Sequence, residues 1–102
     1  MGSEAVLRAL AEPRRQAILR LVRDTPRSVT EIGEHFDISQ QAVSQHLQVL
    51  ADAGLVDVEQ SGRQRLYVVN PRGLEELDRF LADLWPRGLR RLKHAVESRR
   101  GK

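Results

Sequence analysis

The run from Ser39 to Val69, SQQAVSQHLQVLADAGLVDVEQSGRQRLYVV, sets one capped helix directly before a short basic-tipped hairpin, and few folds accept that order. Ser39 can accept a backbone N–H of the turn that follows it, as a helix cap does. Gly54 stands where a helix ends in a left-handed residue. Between these caps Val43, Leu47 and Leu50 recur at spacings of four and three and form one apolar stripe. Gln40, Gln41, Ser44, Gln45 and Gln48 turn outward. An ordinary solvated helix face carries Glu and Lys, whereas this one carries amides and hydroxyls, and amides can make paired hydrogen bonds to adenine edges in the major groove.

The rest of the chain supplies the frame for that helix. Val6, Leu7 and Leu10 lie on one face of a short helix over 3–11, and Pro13 suits the first turn of the next. Ala17, Ile18, Leu21 and Val22 give the second helix its core stripe, which stops at Asp24-Thr25-Pro26. Ser28 and Glu31 have capping-box spacing, and Val29, Ile32 and Phe36 form the apolar side of a short third helix. Two β-rich runs, Leu55 to Val58 and Leu66 to Val69, flank a loop over Gln60–Gln64 that contains Gly62. Asn70-Pro71 opens a final helix carrying Leu74, Leu77, Phe80, Leu81 and Leu84. Pro86 restricts Trp85 and removes a backbone donor, so this segment must kink or split before Leu89, Leu92 and Val96 continue the stripe.

The predicted fold is mainly α with a small β-hairpin, in the order α-α-α-α-β-β-α: a winged helix-turn-helix. The 102 residues form one domain, with the helix-turn-helix at about 29–53, the wing at about 55–69 and the terminal helix at about 71–99. A hydrophobic fraction of 40% with 30% charged residues fits a soluble protein, and no apolar run reaches the ~20 residues of a membrane span. No secretory signal is recognisable, so a cytoplasmic location is expected. The absence of cysteine removes disulfides, thiolate ligands and a cysteine nucleophile together. The net charge of +3 favours a polyanionic partner, and its distribution is more informative than its size. Arg14, Arg15, Arg20, Arg23 and Arg27 load the second helix and its exit, Arg63 and Arg65 load the hairpin tip, and a third group loads Arg87–Lys102.

Four segments, LAEPRRQAILRLV, SVTEIGEHF, SQQAVSQHLQVLADAGLV and SGRQRLYVVNP, together resemble the ArsR family of bacterial winged-helix repressors. The resemblance runs in register over roughly residues 5–85. Its distinctive part is V-S-x-H-L followed by L-x-D-A-G-L-V and a short basic wing. It implies a sequence-specific regulator of double-stranded DNA, a homodimeric repressor that binds an inverted repeat.

On that reading Gln40, Gln41, Ser44 and Gln45 reach base edges, while Thr30 and Ser39 position phosphates near helix starts. His46, the histidine of V-S-x-H-L, faces DNA or supports the readers. Arg63, Gln64 and Arg65 lie at the wing, beside the minor groove or the phosphates. The seam between two copies is expected on the first helix, through Val6, Leu7 and Leu10, and on the last, through Leu77, Phe80, Leu81, Leu84, Trp85, Leu89 and Leu92.

Many members of the family sense metals, and here the usual ligand sets are missing. Thr30, Glu31, Ile32, Gly33 and Glu34 stand where one set places cysteines. The other pattern is D-x-H followed by H-x-x-E, with its halves on different subunits, and His94 and Glu97 match its second half. Counting back puts Asp83 at the first histidine and Leu81 at the aspartate, a poor zinc set. No metal or cofactor is expected, and the effector is not assigned. A metal-responsive repressor with a non-standard site and a winged-helix module that binds protein are the alternatives. Catalysis is disfavoured: there is no Gly-rich phosphate loop or G-x-S-x-G, and His35, His46 and His94 fall on separate elements.

Overall fold

The computed structural model describes residues 2–85, 91 and 94–98. Its elements run α1 (Ser3–Leu10), α2 (Pro13–Asp24), α3 (Val29–Gly33), α4 (Gln40–Asp52), β1 (Val56–Ser61), β2 (Gln64–Val69) and α5 (Pro71–Leu84). This is the expected order, and the helix starts follow from local chemistry. Pro13 and Pro71 each occupy the first turn of a helix, where no backbone donor is needed. Ser28 and Glu31 form a reciprocal capping box, and the Ser39 hydroxyl accepts the Ala42 N–H at 3.0 Å.

The helix-turn-helix is cemented by Ile18, Ile32, Val43, Leu47 and Leu50, all fully buried, with Val6 and Ala9 of α1 completing the same core. No polar side chain is buried among the described residues. The core is therefore held by apolar packing alone, and the polar groups of α4 are left on its outer side.

α4 ends in a tight closure. The Leu55 N–H donates to the Leu50 carbonyl at 2.9 Å and the Gly54 N–H to Ala51 at 3.0 Å, while Gly54 takes φ +76°. These paired bonds around a left-handed glycine turn the chain out of the helix and into β1. The hairpin is tighter than the sequence suggested. Ser61 pairs with Gln64, so the strands run to the tip and only Gly62 and Arg63 form the loop. Gly62 has φ +62° and no non-glycine residue among the described residues has positive φ, which fits a two-residue turn with glycine first. A further bridge joins Arg27, between α2 and α3, to Tyr67 of β2 through mutual backbone bonds of 3.2 and 2.7 Å.

α5 crosses the end of α4 at Gly73, its one buried residue. The Gly73 N–H donates to the Gly54 carbonyl at 3.0 Å. A side chain would not fit there, because a Cβ would lie 2.7 Å from Leu55 Cδ2 and 2.8 Å from the Gly54 oxygen. At its other end α5 stops at Leu84, with Trp85 extended at ψ 112° and its N–H on the Leu81 carbonyl at 3.1 Å. The kink or split expected ahead of Leu89 is thus found as an end to α5 at Leu84, with Trp85 in the extended conformation that a following proline favours. Residues 94–98 are helical again and exposed. No helix among the described residues is long and apolar enough to cross a membrane.

Replacing Gly73 by Ala is expected to cost about 1–3 kcal/mol, since the added methyl meets backbone as well as a side chain. Thermal or urea unfolding measures this, and an unchanged midpoint would show that the crossing can open at no cost.

Candidate nucleic-acid interface

α4 is anchored by its buried stripe, so its other face is fixed in direction as well as exposed. Gln40, Gln41, Ser44 and Gln45 all lie on that face. They are not equivalent. Gln40 Nε2 donates to Thr30 Oγ1 at 3.1 Å, tying the start of α4 to α3. Among the described residues the side chains of Gln41, Ser44 and Gln45 make no hydrogen bond, and their donors and acceptors are free for an outside partner. Gln48, one turn further along, is engaged with Asp52 at 2.8 Å.

Thr30 and Ser39 are exposed at the starts of α3 and α4. Each hydroxyl oxygen already accepts one bond, from Gln40 and from the Ala42 N–H, so each hydroxyl hydrogen is what remains to donate. At the wing, Arg63, Gln64 and Arg65 are exposed. Gln60 Nε2 donates to the Gly62 carbonyl at 2.9 Å and braces the tip that carries them.

His46 is placed differently from the four residues before it. It is half-buried, and its Nδ1 lies 3.3 Å from Nη1 of Arg15. Arg15 is a functional candidate that helical spacing gave no reason to separate from Arg14. Its Nε donates to the Ala9 carbonyl at 2.7 Å and its Nη2 to Arg8 at 3.2 Å, at the end of α1. Arg27 is likewise turned inward, onto the Leu21 carbonyl at 3.2 Å. Two of the five α2-region arginines thus serve the fold. Arg20 and Arg23 border a hollow of about 390 Å³ with Leu10, Leu19, Val69 and Leu74.

Of the residues expected at a seam, Val6 is only 1% exposed and is spent in the chain's own core. Leu7 is 40% exposed, Leu81 41% and Leu84 64%, whereas Leu10, Leu77, Phe80 and Trp85 are half-buried. Leu74 adds a further exposed leucine to the same helix. Leu89 and Leu92 lie outside the described residues. No group of three or more His, Cys, Asp or Glu residues suited to hold a metal gathers among the described residues.

Known proteins resemble this chain over the helices and hairpin just described. A helix-turn-helix domain model matches residues 10–59. The HTH-type transcriptional regulator Rv2034 of Mycobacterium tuberculosis is 37% identical over 90 residues, 88% of this chain and 84% of that protein. This chain belongs to the ArsR family of winged helix-turn-helix transcriptional regulators. The HTH-type transcriptional repressor SmtB of M. tuberculosis is 47% identical over 62 residues, 61% of this chain but only 46% of that protein. Among solved structures, the homodimeric winged helix-turn-helix DNA-binding domain of Mb0332 from Mycobacterium bovis, a possible ArsR-family regulator, superposes with a TM-score of 0.64. It is 29% identical and covers 78% of this chain and 77% of that one. The family consists of DNA-binding regulators and not enzymes, and the regulator described here has the corresponding fold.

Glu12 caps α2 by accepting the Arg14 N–H at 2.9 Å. That bond, with the nearby His46, Arg14 and Arg15, holds its carboxyl below the ordinary value of 4.5. A lowered folded-state value stabilises the fold at pH above the unfolded value, and the contribution disappears as pH falls through the folded one. Glu12→Gln is therefore expected to lower the melting temperature near neutrality and to flatten its fall below pH 4.5. A pH–melting series parallel to that of the wild type would remove Glu12 as the cap.

Proposed function

We propose that the regulator is a homodimeric repressor that reads an inverted-repeat operator with α4 in the major groove and the wing on the flanking backbone. The observation that carries this reading is the contrast along α4. Gln41, Ser44 and Gln45 are exposed and unengaged on a helix whose opposite side is locked in the core. Free amides on a rigid support are suited to discriminate base edges, because little order has to be created on binding. Thr30, Ser39 and the start of α4 then lie against phosphates, with Gln40 holding the two helix starts together. His46 supports the readers from behind.

One such module reads too few base pairs to be selective, and two-fold symmetry doubles the site. The seam is assigned to α1 and α5, which pack on each other. Leu7, Leu74, Leu81 and Leu84 leave exposed apolar surface there, more than isolated surface leucines need. A partner copy covers it, with Leu10, Leu77, Phe80 and Trp85 at its margin. The comparison with Mb0332, described as a homodimer, supports a two-copy assembly, and the relation to a repressor such as SmtB supports the sign of regulation. A soluble cytoplasmic protein acting on chromosomal DNA fits the same reading.

Three measurements test it. Gln41→Ala or Gln45→Ala is expected to cost ~1–3 kcal/mol on the preferred operator and much less on DNA altered at the base pair it reads. An equal loss on every sequence removes that residue as a reader. Arg63→Ala with Arg65→Ala should weaken binding to all duplexes and reduce the slope of log K against log salt by about 0.9 per lost phosphate contact; an unchanged slope takes the wing off the DNA. Leu81→Glu with Leu84→Glu should convert the dimer to monomer in sedimentation, since burying each leucine contributes ~1.5–3 kcal/mol. A variant that stays dimeric moves the seam elsewhere.

A further inference from the structure

Arg15 touches two elements that do different work. Its Nε and Nη2 close the end of α1 through the carbonyls of Ala9 and Arg8 at 2.7 and 3.2 Å, and its Nη1 lies 3.3 Å from Nδ1 of His46 on α4. A guanidinium has donors and no acceptor. The contact with His46 is therefore a hydrogen bond only when Nδ1 is unprotonated and the ring proton sits on Nε2. Planar and forked, the guanidinium also fixes direction as well as distance, which an ammonium in its place could not do. All three contacts are to the protein itself, and they engage each of the three guanidinium nitrogens.

We infer that Arg15 is a positioning residue that sets the angle of the reading helix against α1, and through it the separation of the two reading helices in the dimer. This rests on the homodimer and the α4 reading proposed above. If α1 lies at the seam, a rotation of α4 relative to α1 is doubled across the two-fold axis. Half-site spacing on DNA is strict, because one added base pair turns a half-site by about 35° and moves it by ~3.4 Å. Arg15, which braces α4 to the end of α1 beside their shared apolar core, therefore governs which spacing is accepted, without touching a base.

The test is binding to a panel of duplexes in which two half-sites are kept and the spacer is changed by one base pair either way, alongside a duplex with a single half-site. Wild-type protein is expected to bind the native spacing ~10-fold or more tightly than its neighbours, a difference of about 1.4 kcal/mol. Arg15→Lys, which retains charge and loses the fork, should narrow that preference to within about threefold while single-half-site affinity and melting temperature stay close to wild type. A preference that Arg15→Lys leaves intact overturns the inference while the repressor reading stands. Equal loss on every duplex also overturns it, since that describes a general structural or phosphate-binding role. Wild-type protein with no spacing preference, or with no duplex binding, overturns it at its base, and the latter outcome overturns the DNA reading as well. If Arg15→Lys does not fold, nitrogen NMR of the wild-type imidazole decides: an unprotonated Nδ1 at neutral pH supports the bond, and a protonated Nδ1 overturns it.

Discussion

The hydrogen bond from Gly73 to the Gly54 carbonyl, 3.0 Å long and with no room for a Cβ at Gly73, is where the three working parts of this regulator meet. α4 ends there, the hairpin begins there, and α5 crosses over both. Leu50, Gly54 and Leu55 make the closing turn of α4, and Asn70 returns from β2 to donate to the Leu55 carbonyl at 2.8 Å. Within a few residues the chain therefore fixes the reading helix, both ends of the wing and the start of the helix assigned to the seam. No tether of comparable economy links these parts elsewhere among the described residues.

A second attachment holds α4 further along, through Arg15, His46 and the end of α1. A helix gripped at its C-terminal end and at its middle has little freedom to tilt, and its exposed amides are presented in one orientation. That rigidity suits a module whose selectivity depends on small differences at base edges. It also explains why the arginines of α2 do not act as one basic face. Arg15 and Arg27 turn toward the carbonyl ends of α1 and α2 and donate there. Arg63 and Arg65, by contrast, stand exposed at the tip of the wing.

The local signals in the chain were easy to read because each states its chemistry within a few residues. Pro13, Ser28 with Glu31, Ser39, and Asn70 with Pro71 all stand at helix starts, and Gly54 takes its left-handed turn. What was missed depends on residues far apart in sequence. Gly73 carries no sign that Leu55 will press against it, and Arg15 next to Arg14 carries no sign that only one of them turns inward. The pairing of Arg27 with Tyr67 is of the same kind, since neither residue belongs to a β-rich run with the other. The five-residue hairpin loop shrank to two residues because strand pairing continued as far as Ser61 and Gln64.

By itself the sequence determined the order of elements, their caps, the apolar stripe of α4 and the polarity of its other side. Those properties follow from spacing and from hydrogen bonds between near neighbours, which need no knowledge of the rest of the chain. Tertiary structure alone decided which amides are free and which are engaged, that Val6 belongs to the core while Leu81 and Leu84 remain uncovered, and that His46 lies half-buried against Arg15. The reason is physical. Exposure, and the partner that a side chain finds, are set by how elements pack against each other, and a one-dimensional pattern does not contain that packing.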